Sequence, residues 1–426
     1  MRVLLIGSGG REHAMAAAIS KSPLLDHLII APGNPGTSAV GVNVSVAIDD
    51  VIGLVALAKE RSVDLVIVGP EAPLADGLAD QLKMAGILVF GPTAAAARIE
   101  SSKSWAKRLM ARHGVPTARF ATFQSMEESI THIASLPEGR VVVKADGLAA
   151  GKGVIIAESR QEASEAVVEM IGGHIFGDAG STVVIEECLE GPEISVFAFV
   201  DGKTVSNEVS ACDYKRAYDN DEGPNTGGMG AYTPPELWTP SLATKIRNEI
   251  LEPIALAMDA EGSPFTGILY AGLMLTESGP RVIEFNCRFG DPEAQVVLSR
   301  LDTDLLHIAR QAAEGHLDQM DVQWNNQAGV CLVMASGGYP GRYETRKLIT
   351  GISSVPSSVD IFHAGTTERD DGTVWTAGGR VLNVVARGSN VAEARLLAYR
   401  AAQGINFDGA EYRTDIAERA MNSSKP

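Results

Sequence analysis

The sequence predicts a multidomain protein that combines an α/β unit with α+β units. Three observations predict this class: a length of 426 residues, short apolar runs alternating with helical patterns over the first hundred residues, and paired strands with glycine-rich turns beyond about residue 102. A chain of this length corresponds to roughly two to four compact domains. We place boundaries near residues 103 and 326, which gives domains 1–103, 104–326 and 327–426.

The composition excludes several classes of protein. With 45% hydrophobic and 21% charged residues, the chain is typical of a globular protein rather than a disordered one. Its 36 Lys and Arg against 53 Asp and Glu give a net charge of −17, which repels nucleic acid and anionic membranes. No run of about 18 apolar residues predicts a membrane span. Four cysteines without a Cys-x-x-Cys pair favour a reducing, cytoplasmic setting.

The first hundred residues predict an open, mostly parallel sheet. Apolar runs that predict strands occupy residues 3–6, 28–30, 44–48, 65–68 and 87–90. Apolar residues at helical spacing lie between them, at 13–19, 51–59 and 74–84. This alternation is typical of βαβ units, whose ligands bind beyond the carboxyl ends of the strands. Gly and Pro turns follow several of these strands, so a ligand site is expected there.

The first of these turns, residues 7–13, could hold a phosphate. It follows a strand and opens a helix, whose N-terminal N–H groups and dipole attract anions. A dinucleotide site would need a glycine at the position of Glu12 and an acidic residue at the end of the second strand, where residues 30–32 are Ile-Ala-Pro. Both departures argue against NAD. Two interpretations stay open: a tight turn without a ligand, and a site for a phosphate or phosphosugar.

A second glycine-rich segment, residues 144–153, follows a predicted helix at 105–112 and lies between predicted strands at 140–144 and 153–157. Lys144 ends the first strand and Lys152 lies beyond the turn, so their ammonium groups could neutralise phosphate oxygens that the glycine backbone approaches closely. The glycine spacing and the lack of Ser or Thr after Lys152 exclude a Walker loop. The alternative is a solvated hairpin with two surface lysines.

The third motif spans residues 281–295 and begins in a predicted strand. Because strand side chains alternate, Glu284, Asn286 and Arg288 are expected on one face. The residues expected to pack behind that face are Ile283, Phe285 and Cys287. A carboxylate and an amide two residues apart offer oxygen ligands to Mg²⁺, and Arg288 could donate to a phosphoryl or carboxylate group. The alternative is a surface Glu–Arg pair of little energetic consequence.

The remaining segments predict an α+β middle section and further strands towards the C-terminus. Strands are expected at 183–187, 194–200 and 272–276, then at 330–335 and 381–386 before an alanine-rich helix. A long charged and glycine-rich loop covers residues 213–232, and loops of this length are usually functional or disordered. Residues 183–189 run into an acidic turn, for which a solvated surface turn is the alternative interpretation.

Together these segments resemble the phosphoribosylamine glycine ligase (glycinamide ribonucleotide synthetase) family of ATP-grasp enzymes. The resemblance covers nearly the whole chain and is carried by residues 7–13, 31–34, 69–74, 144–153, 223–232, 283–293 and 337–341. The run 288–295, Arg-Phe-Gly-Asp-Pro-Glu-Ala-Gln, is the most specific of them. The resemblance implies an N-terminal pre-ATP-grasp domain with an open parallel sheet, an ATP-grasp core whose lid lobe covers about 118–192, and a mixed C-terminal domain.

The resemblance also implies an enzyme that uses ATP together with Mg²⁺ or Mn²⁺. Glu284 and Asn286 match the metal ligands, and residues 271–275 on the preceding strand offer no further carboxylate. Glu193 matches the acid that binds the ribose. The full set that matches nucleotide-binding positions is Lys103, Lys144, Gly151, Lys152, Gly153, Glu186, Glu187, Leu189 and Glu193.

The implied reaction joins glycine to 5-phosphoribosylamine through glycyl phosphate, giving glycinamide ribonucleotide, ADP and phosphate in de novo purine biosynthesis. Residues expected to act in catalysis are Arg288, Lys144 and Asp213; those expected to bind the substrates are Gly9, Gly10, Asn34, Asp213 and Arg288. We expect a cytoplasmic monomer with small-molecule substrates and with neither nucleic acid nor membrane as a partner. Alternatives are another ATP-grasp carboxylate–amine ligase, a non-catalytic nucleotide-binding protein and a hydride-transferring oxidoreductase.

Overall fold

The computed structural model describes residues 1–148, 153–173 and 180–422. Its N-terminal part is a five-stranded parallel sheet with strand order β3-β2-β1-β4-β5. The strands are β1 (Arg2–Gly7), β2 (His27–Pro32), β3 (Val42–Asn43), β4 (Leu65–Val68) and β5 (Leu88–Phe90). The helices are α1 (Gly10–Ile19), α2 (Val51–Glu60), α3 (Glu71–Ala75), α4 (Leu78–Met84) and α5 (Ala94–Ser101). The predicted open parallel sheet is confirmed.

Two predicted elements of this region are wrong in detail. The strand expected at 44–48 is instead a pairing at residues 42–43, after which the backbone leaves the sheet. Val44, Val46 and Ile48 still pack against the core, which accounts for their apolar alternation. The single helix expected at 74–84 is two helices, because Gly77 between them adopts a left-handed φ of 82°.

A second, antiparallel sheet of four strands has the order β6-β9-β7-β8. Its strands are β6 (Phe120–Phe123), β7 (Val141–Ala145), β8 (Val154–Ala157) and β9 (Val183–Glu187). The helices of this region are α6 (Lys103–His113), α7 (Met126–Ser135) and α8 (Arg160–Val167). Val141 pairs with Ala157 in antiparallel register, so the predicted hairpin around the glycine-rich segment is present.

The third sheet has ten strands and is the largest. Its main path runs β17-β16-β10-β12-β15-β18-β22-β19, while β11 pairs with β10 and β23 with β18. The strands up to the middle of this region are β10 (Glu193–Asp201), β11 (Thr204–Val205), β12 (Val209–Asp213), β13 (Arg216–Tyr218), β14 (Glu222–Asn225), β15 (Gly230–Thr233), β16 (Thr266–Thr276) and β17 (Gly279–Asn286). Those that follow are β18 (Ala328–Ser336), β19 (Val359–His363), β20 (Thr366–Glu368), β21 (Val374–Thr376), β22 (Arg380–Gly388) and β23 (Ala410–Glu411). Four of these strands lie outside the ten-stranded sheet, since β13 pairs with β14 and β20 with β21 in two separate two-stranded sheets.

The helices along this sheet are α9 (Pro240–Ile246), α10 (Glu252–Ala260), α11 (Glu293–Val297), α12 (Leu305–Glu314), α13 (Val391–Ala402) and α14 (Glu418–Asn422). Because β15 pairs with β18, the sheet is continuous across residue 326. The domain boundaries stay predictions. The parallel N-terminal sheet, the antiparallel sheets that follow it and the helices packed on them confirm the predicted fold class. In the described part of the chain, no helix has the length and apolar character needed to traverse a lipid bilayer.

Shared hydrophobic cores hold the N-terminal sheet and the large sheet together, whereas the four-stranded sheet has a core cluster of its own. One cluster of buried residues joins Leu4 in β1 and Leu109 on α6 to Val196 and Phe285 in the large sheet. Another joins Ile30 in the N-terminal sheet to residues of β12, β18 and β22. The N-terminal sheet and the large sheet therefore form adjoining layers, and the four-stranded sheet lines the site described below together with the large sheet.

Two buried histidines and an asparagine join the N-terminal sheet to the C-terminal part. The backbone N–H of His363 donates to Nδ1 of His13 at 2.9 Å. The Asn34 side chain donates to the carbonyl oxygens of Ser8 and His363, both at 2.8 Å. Burial lowers the pKa of His13 to about 3 and that of His363 to about 4, so both rings are neutral at neutral pH.

This contact is expected to weaken in mild acid. Histidines released by unfolding bind protons below about pH 6.5, whereas the two buried rings do not, so stability falls as the pH drops from about 6.5 towards 4. Between pH 7.5 and 5 the free energy of unfolding should fall by about 2–4 kcal/mol, measured by urea denaturation. His13→Gln should remove about half of this change, while His27→Gln at an exposed position should not. An equal pH dependence in all three proteins would contradict the assignment.

Candidate active site

A cavity of about 680 Å³ lies where the four-stranded sheet faces the large sheet. Its walls come from helices α3, α5 and α6, from the four-stranded sheet, and from β10, β12, β16, β17 and β22 of the large sheet. Among the predicted site residues, its lining includes Lys103, Lys144, Gly153, Glu186, Glu187, Leu189, Glu193, Asp213, Glu284, Asn286 and Arg288. Segments far apart in sequence therefore meet around one cavity. Gly151 and Lys152 lie outside the described residues.

Strand β17 presents the predicted metal ligands to this cavity. Glu284 pairs across the sheet with Gly272, and Leu273 then pairs with Val282, so Ile283 is an extra residue in a β-bulge. The prediction that Ile283 packs behind the strand is wrong, because the bulge interrupts the alternation and Ile283 lines the cavity beside Glu284. Phe285 also borders the cavity, although it is only 2% exposed. Cys287 is buried as expected.

Positive charge around Glu284 keeps its carboxylate ionised. Burial alone raises its pKa, but Lys215, Lys144 and Lys103 outweigh burial and lower the pKa below its usual value. Asn286 is 7% exposed, and its side-chain Oδ1 accepts from Nη2 of Arg288 at 3.3 Å. An ionised carboxylate and an amide oxygen thus face the cavity together, which is the donor set that Mg²⁺ or Mn²⁺ prefers.

Arg288 is held by two carboxylates from the N-terminal part of the chain. Its Nε donates to Glu71 at 2.9 Å, and its Nη2 donates to Glu100 at 2.7 Å. Burial lowers the pKa of Arg288, but Glu100 and Glu71 outweigh this effect and raise it. Against the opposing effect of burial, Arg288 lowers the pKa of Glu71 to about 2. The guanidinium is therefore fixed in position and charged beside Asn286.

The lysines of the cavity are fixed by backbone and carboxylate oxygens. Lys103, at the start of α6, donates to the carbonyl of Gly147 at 3.0 Å. Lys144, at the end of β7, donates to the carbonyl of Ile283 at 3.1 Å and lies 3.1 Å from Oε1 of Glu186. Burial lowers the pKa of Lys103. Two ammonium groups from different elements can therefore contact one anionic ligand.

The end of β9 and the segment after it line the same cavity. Glu187 is paired with Arg119 at 2.7 Å and with Arg281 at 3.6 Å. Leu189 also lines the cavity. Glu193 forms an ion pair with Lys215 from segment 213–232. The prediction of one long loop here is wrong, because the segment contains the hairpin of β13 and β14 and most of β15. The segment is nevertheless part of the site.

Asp213 belongs to a group of coupled charges at the end of β12. Burial raises its pKa to about 7, with Lys215 opposing the shift and Glu293 and Glu193 adding to it. Burial also raises the pKa of Glu293, which accepts a hydrogen bond from the Tyr270 hydroxyl at 3.0 Å. At neutral pH, Asp213 can therefore either accept or release a proton.

Gly9, Gly10 and Asn34 are absent from the cavity lining, although all three are described. The N–H of Gly9 donates to the Glu12 carboxylate at 2.7 Å, so the start of α1 already has an anionic partner within the chain. Asn34 uses both ends of its side chain, since its Oδ1 accepts from Gly36 and Thr37. These contacts give Asn34 a structural role, and its assignment to a substrate stays a prediction.

The sequence-based prediction did not include several residues of the site. Arg380 of β22 donates to Asp291 and to the carbonyl of Gly227, and it closes the cavity from the C-terminal side. Glu71 and Glu100 hold Arg288 over long sequence separations, for which a single sequence carries no signal. Lys107 could have been predicted as a site residue from the sequence, because a residue four positions after Lys103 lies on the same helix face.

Comparisons with known proteins agree with this geometry. Three family models match: the N domain of phosphoribosylglycinamide synthetase at residues 1–100, its ATP-grasp (A) domain at 101–294 and its C domain at 329–419. A phosphoribosylamine–glycine ligase of Caulobacter vibrioides is 49% identical over 423 residues, covering 99% of each chain. The resemblance identified from the sequence is confirmed.

Solved structures extend the comparison. The crystal structure of phosphoribosylamine–glycine ligase from Thermotoga maritima has a TM-score of 0.86 at 34% identity, and the match covers 98% of this chain and 100% of that one. The biotin carboxylase domain of Hydrogenobacter thermophilus 2-oxoglutarate carboxylase, solved with MgADP, has a TM-score of 0.76 at 16% identity, and the match covers 100% of this chain and 98% of that one. The second likeness is one of fold alone. By sequence and by structure, the chain belongs to the phosphoribosylglycinamide synthetase family.

Proposed function

We propose that this protein ligates glycine to 5-phosphoribosylamine at the expense of ATP, releasing glycinamide ribonucleotide, ADP and phosphate. Membership of the family and the names of its relatives support this activity. The observation that carries the proposal is the meeting of Lys103, Lys144, Glu284, Asn286 and Arg288 around one cavity. These groups suit a nucleoside triphosphate, because they offer cations for its phosphates and oxygen ligands for its metal ion.

The chemistry requires activation of a carboxylate. An oxygen of the glycine carboxylate attacks the γ-phosphate, and ADP leaves, which forms glycyl phosphate. The amine of phosphoribosylamine then attacks the acyl carbon, phosphate leaves, and the nitrogen loses a proton. Phosphoryl transfer depends on positioning and charge neutralisation more than on a covalent nucleophile. Holding the reactants in the correct orientation can lower the activation barrier by about 7–11 kcal/mol. A single hydrogen bond to a charged group contributes roughly 1.5–3 kcal/mol.

The residues of the cavity divide this work. Lys103 and Lys144 would contact the phosphates, with Gly151, Lys152 and Gly153 completing the phosphate loop. Glu186, Glu187 and Leu189 would contact the adenine, and Glu193 the ribose. Arg288, already fixed by Glu71 and Glu100, would orient the glycine carboxylate or the transferred phosphoryl group.

Glu284 and Asn286 would hold Mg²⁺ or Mn²⁺. The fit rests on the ionised Glu284 carboxylate and the neighbouring amide oxygen in the cavity wall. In the described residues, no group of three or more His, Cys, Asp or Glu could hold an ion, which agrees with a cation that takes most ligands from water and phosphate. When bound, the ion would neutralise phosphate oxygens of the nucleotide.

The substrates would occupy the side of the cavity formed by segments 213–232 and 288–293. Asp213 would accept the proton that the amine loses, because its raised pKa places it near neutrality. Gly9, Gly10 and Asn34 remain candidates for binding the ribose phosphate, either through their backbone groups or after a rearrangement of their present side-chain contacts.

We further propose three domains, at residues 1–103, 104–326 and 327–426, with a lid lobe at about 118–192 in the second. We expect a cytoplasmic monomer. Light scattering of the purified protein measures its molar mass and so tests the oligomeric state.

A coupled assay for ADP tests the activity. Phosphoribosylamine is generated in situ, and ATP, glycine and the amine are omitted in turn. ADP release should require glycine, and glycinamide ribonucleotide should accumulate only with both substrates. ADP release that ignores glycine excludes the proposal. Release that needs glycine but accepts a different amine favours another ATP-grasp ligase.

The pH dependence of ligation should report Asp213. Because this carboxylate must be deprotonated to accept a proton, the rate should rise as the pH increases through about 7. Asp213→Asn should lower the rate by roughly 10²-fold and remove this rise. Asp370→Asn, at an exposed position, is the matched control and should change neither. A variant at Asp213 with an unchanged pH profile would show that another group accepts the proton.

A further inference from the structure

The site contains a buried lysine that the proposed mechanism does not use. Lys107, one turn after Lys103 on α6, has a side chain that is 3% exposed. Its Nζ donates to Oε2 of Glu186 at 2.8 Å and to the hydroxyl of Thr117 at 2.7 Å. A lysine is rarely buried this deeply unless its charge is paired. Its contacts are therefore the first guide to its role.

These contacts form a closed ring of polar groups. Oε1 of Glu186, its other oxygen, lies 3.1 Å from Nζ of Lys144. Lys144 donates to the carbonyl of Ile283, and Thr117 donates to the carbonyl of the adjacent Val282 at 2.6 Å. The ring therefore runs from Lys107 through Glu186 and Lys144 to β17, and returns through Thr117.

The ring joins the two sheets that form the cavity. Lys144 and Glu186 belong to the four-stranded sheet, on β7 and β9. Val282 and Ile283 belong to β17 of the large sheet, at the bulge that precedes Glu284. The carbonyl that accepts from Lys144 belongs to the bulged residue itself, Ile283. Lys107 lies on a helix packed between the two sheets and is bonded to both sides of the ring.

Charge explains what Lys107 does there. Glu186 lies between two ammonium groups, and its contact with Lys144 lacks good hydrogen-bond geometry, since Oε1 has no aligned donor. With Lys107 present, one oxygen of Glu186 is neutralised, and Lys144 keeps its protons available for an anionic ligand. Without Lys107, Lys144 would be the one cation among the described residues that lies close to the buried carboxylate.

We propose that Lys107 is a positioning residue that sets the affinity of the site for nucleotide phosphates by sharing Glu186 with Lys144. The inference rests on the proposed function, because it assumes that Lys144 contacts the nucleotide. Although Lys107 also lines the cavity, its Nζ is occupied by Glu186 and Thr117, so its effect on the ligand passes through Glu186. It acts by keeping Glu186 from withdrawing the Lys144 ammonium from the cavity.

A double-mutant cycle tests this role, with ADP and Mg²⁺ as the probe and calorimetry as the readout. Lys107→Met should weaken ADP binding by about tenfold, which is about 1.4 kcal/mol. In a Glu186→Gln background the same substitution should weaken binding by less than about twofold, because the residue through which Lys107 acts has lost its charge. Leu109→Ala, which removes a fully buried side chain on the same helix, should lower stability and leave ADP affinity unchanged.

Three results would overturn the proposal: no loss of affinity in Lys107→Met, an equal loss in both backgrounds, or an equal loss in Leu109→Ala. The cycle measures nucleotide binding without glycine or the amine. A wild-type protein that binds ADP but shows no glycine-dependent ligation would therefore refute the proposed function and leave the role of Lys107 standing.

Discussion

Glu284→Gln is expected to reduce ATP-dependent ligation by about 10²–10³-fold, the usual effect of removing one preorganised electrostatic group from a reaction site. The substitution keeps the size of the side chain and removes its charge. Glu284 is ionised because Lys215, Lys144 and Lys103 surround it, so its loss leaves the cavity with excess positive charge and one metal ligand fewer. The rate of ADP release at saturating glycine measures the effect.

Two comparisons make this result specific. Glu277→Gln changes an exposed glutamate in the turn before β17 and should leave the rate unchanged. Raising the Mg²⁺ concentration should partly restore Glu284→Gln, because a weaker site fills at higher metal concentration. Full activity of Glu284→Gln at ordinary Mg²⁺ concentration would remove the basis for the metal assignment. Chelation of divalent ions in the wild type should stop ligation.

Arg288→Met is expected to lower the free energy of unfolding by about 3 kcal/mol and to abolish ligation. The arginine pairs with Glu71 and with Glu100, whose side chain is 8% exposed. Removing one partner of a buried ion pair leaves uncompensated charge and costs about 3–5 kcal/mol. We take the lower value because the Glu71 side chain is 29% exposed. Urea denaturation measures the change.

An exposed pair supplies the matched control. Arg112 bonds to Glu261 with the arginine side chain 48% exposed, so Arg112→Met should cost less than about 1 kcal/mol. Adding Glu100→Gln to Arg288→Met should recover part of the lost stability, because the buried carboxylate is then neutral. If Arg288→Met unfolds at the same urea concentration as the wild type, the ion pairs do not hold the site together.

The sequence predicted the site where local pattern determines geometry. Alternation along β17 placed Glu284 and Asn286 on the cavity side, and the glycine-rich hairpin placed Lys144 at the end of β7. The bulge at Ile283 was missed, because register depends on the partner strand as well as on the strand itself. The contact between Gly9 and Glu12 was foreseeable, since a glutamate three residues after a helix cap can reach back to it.

Contacts between distant segments could not be predicted in the same way. Glu71 begins α3 and Glu100 lies in the last turn of α5, and their pairing with Arg288 arises only when the N-terminal sheet docks onto the core. Arg380 likewise reaches the 227–228 loop from more than a hundred residues away. These residues carry no local mark of function, because their environment comes from tertiary packing.

The continuous pairing from β12 through β15 to β18 makes the last hundred residues structurally inseparable from the catalytic part. A fragment ending near residue 326 would leave β15 with bare backbone groups along one side, and such an edge recruits other strands. It would also lack the guanidinium of Arg380 that seals the chamber wall. Removal of the C-terminal region should therefore yield an aggregation-prone fragment whose cavity is open to solvent, and not a minimal enzyme.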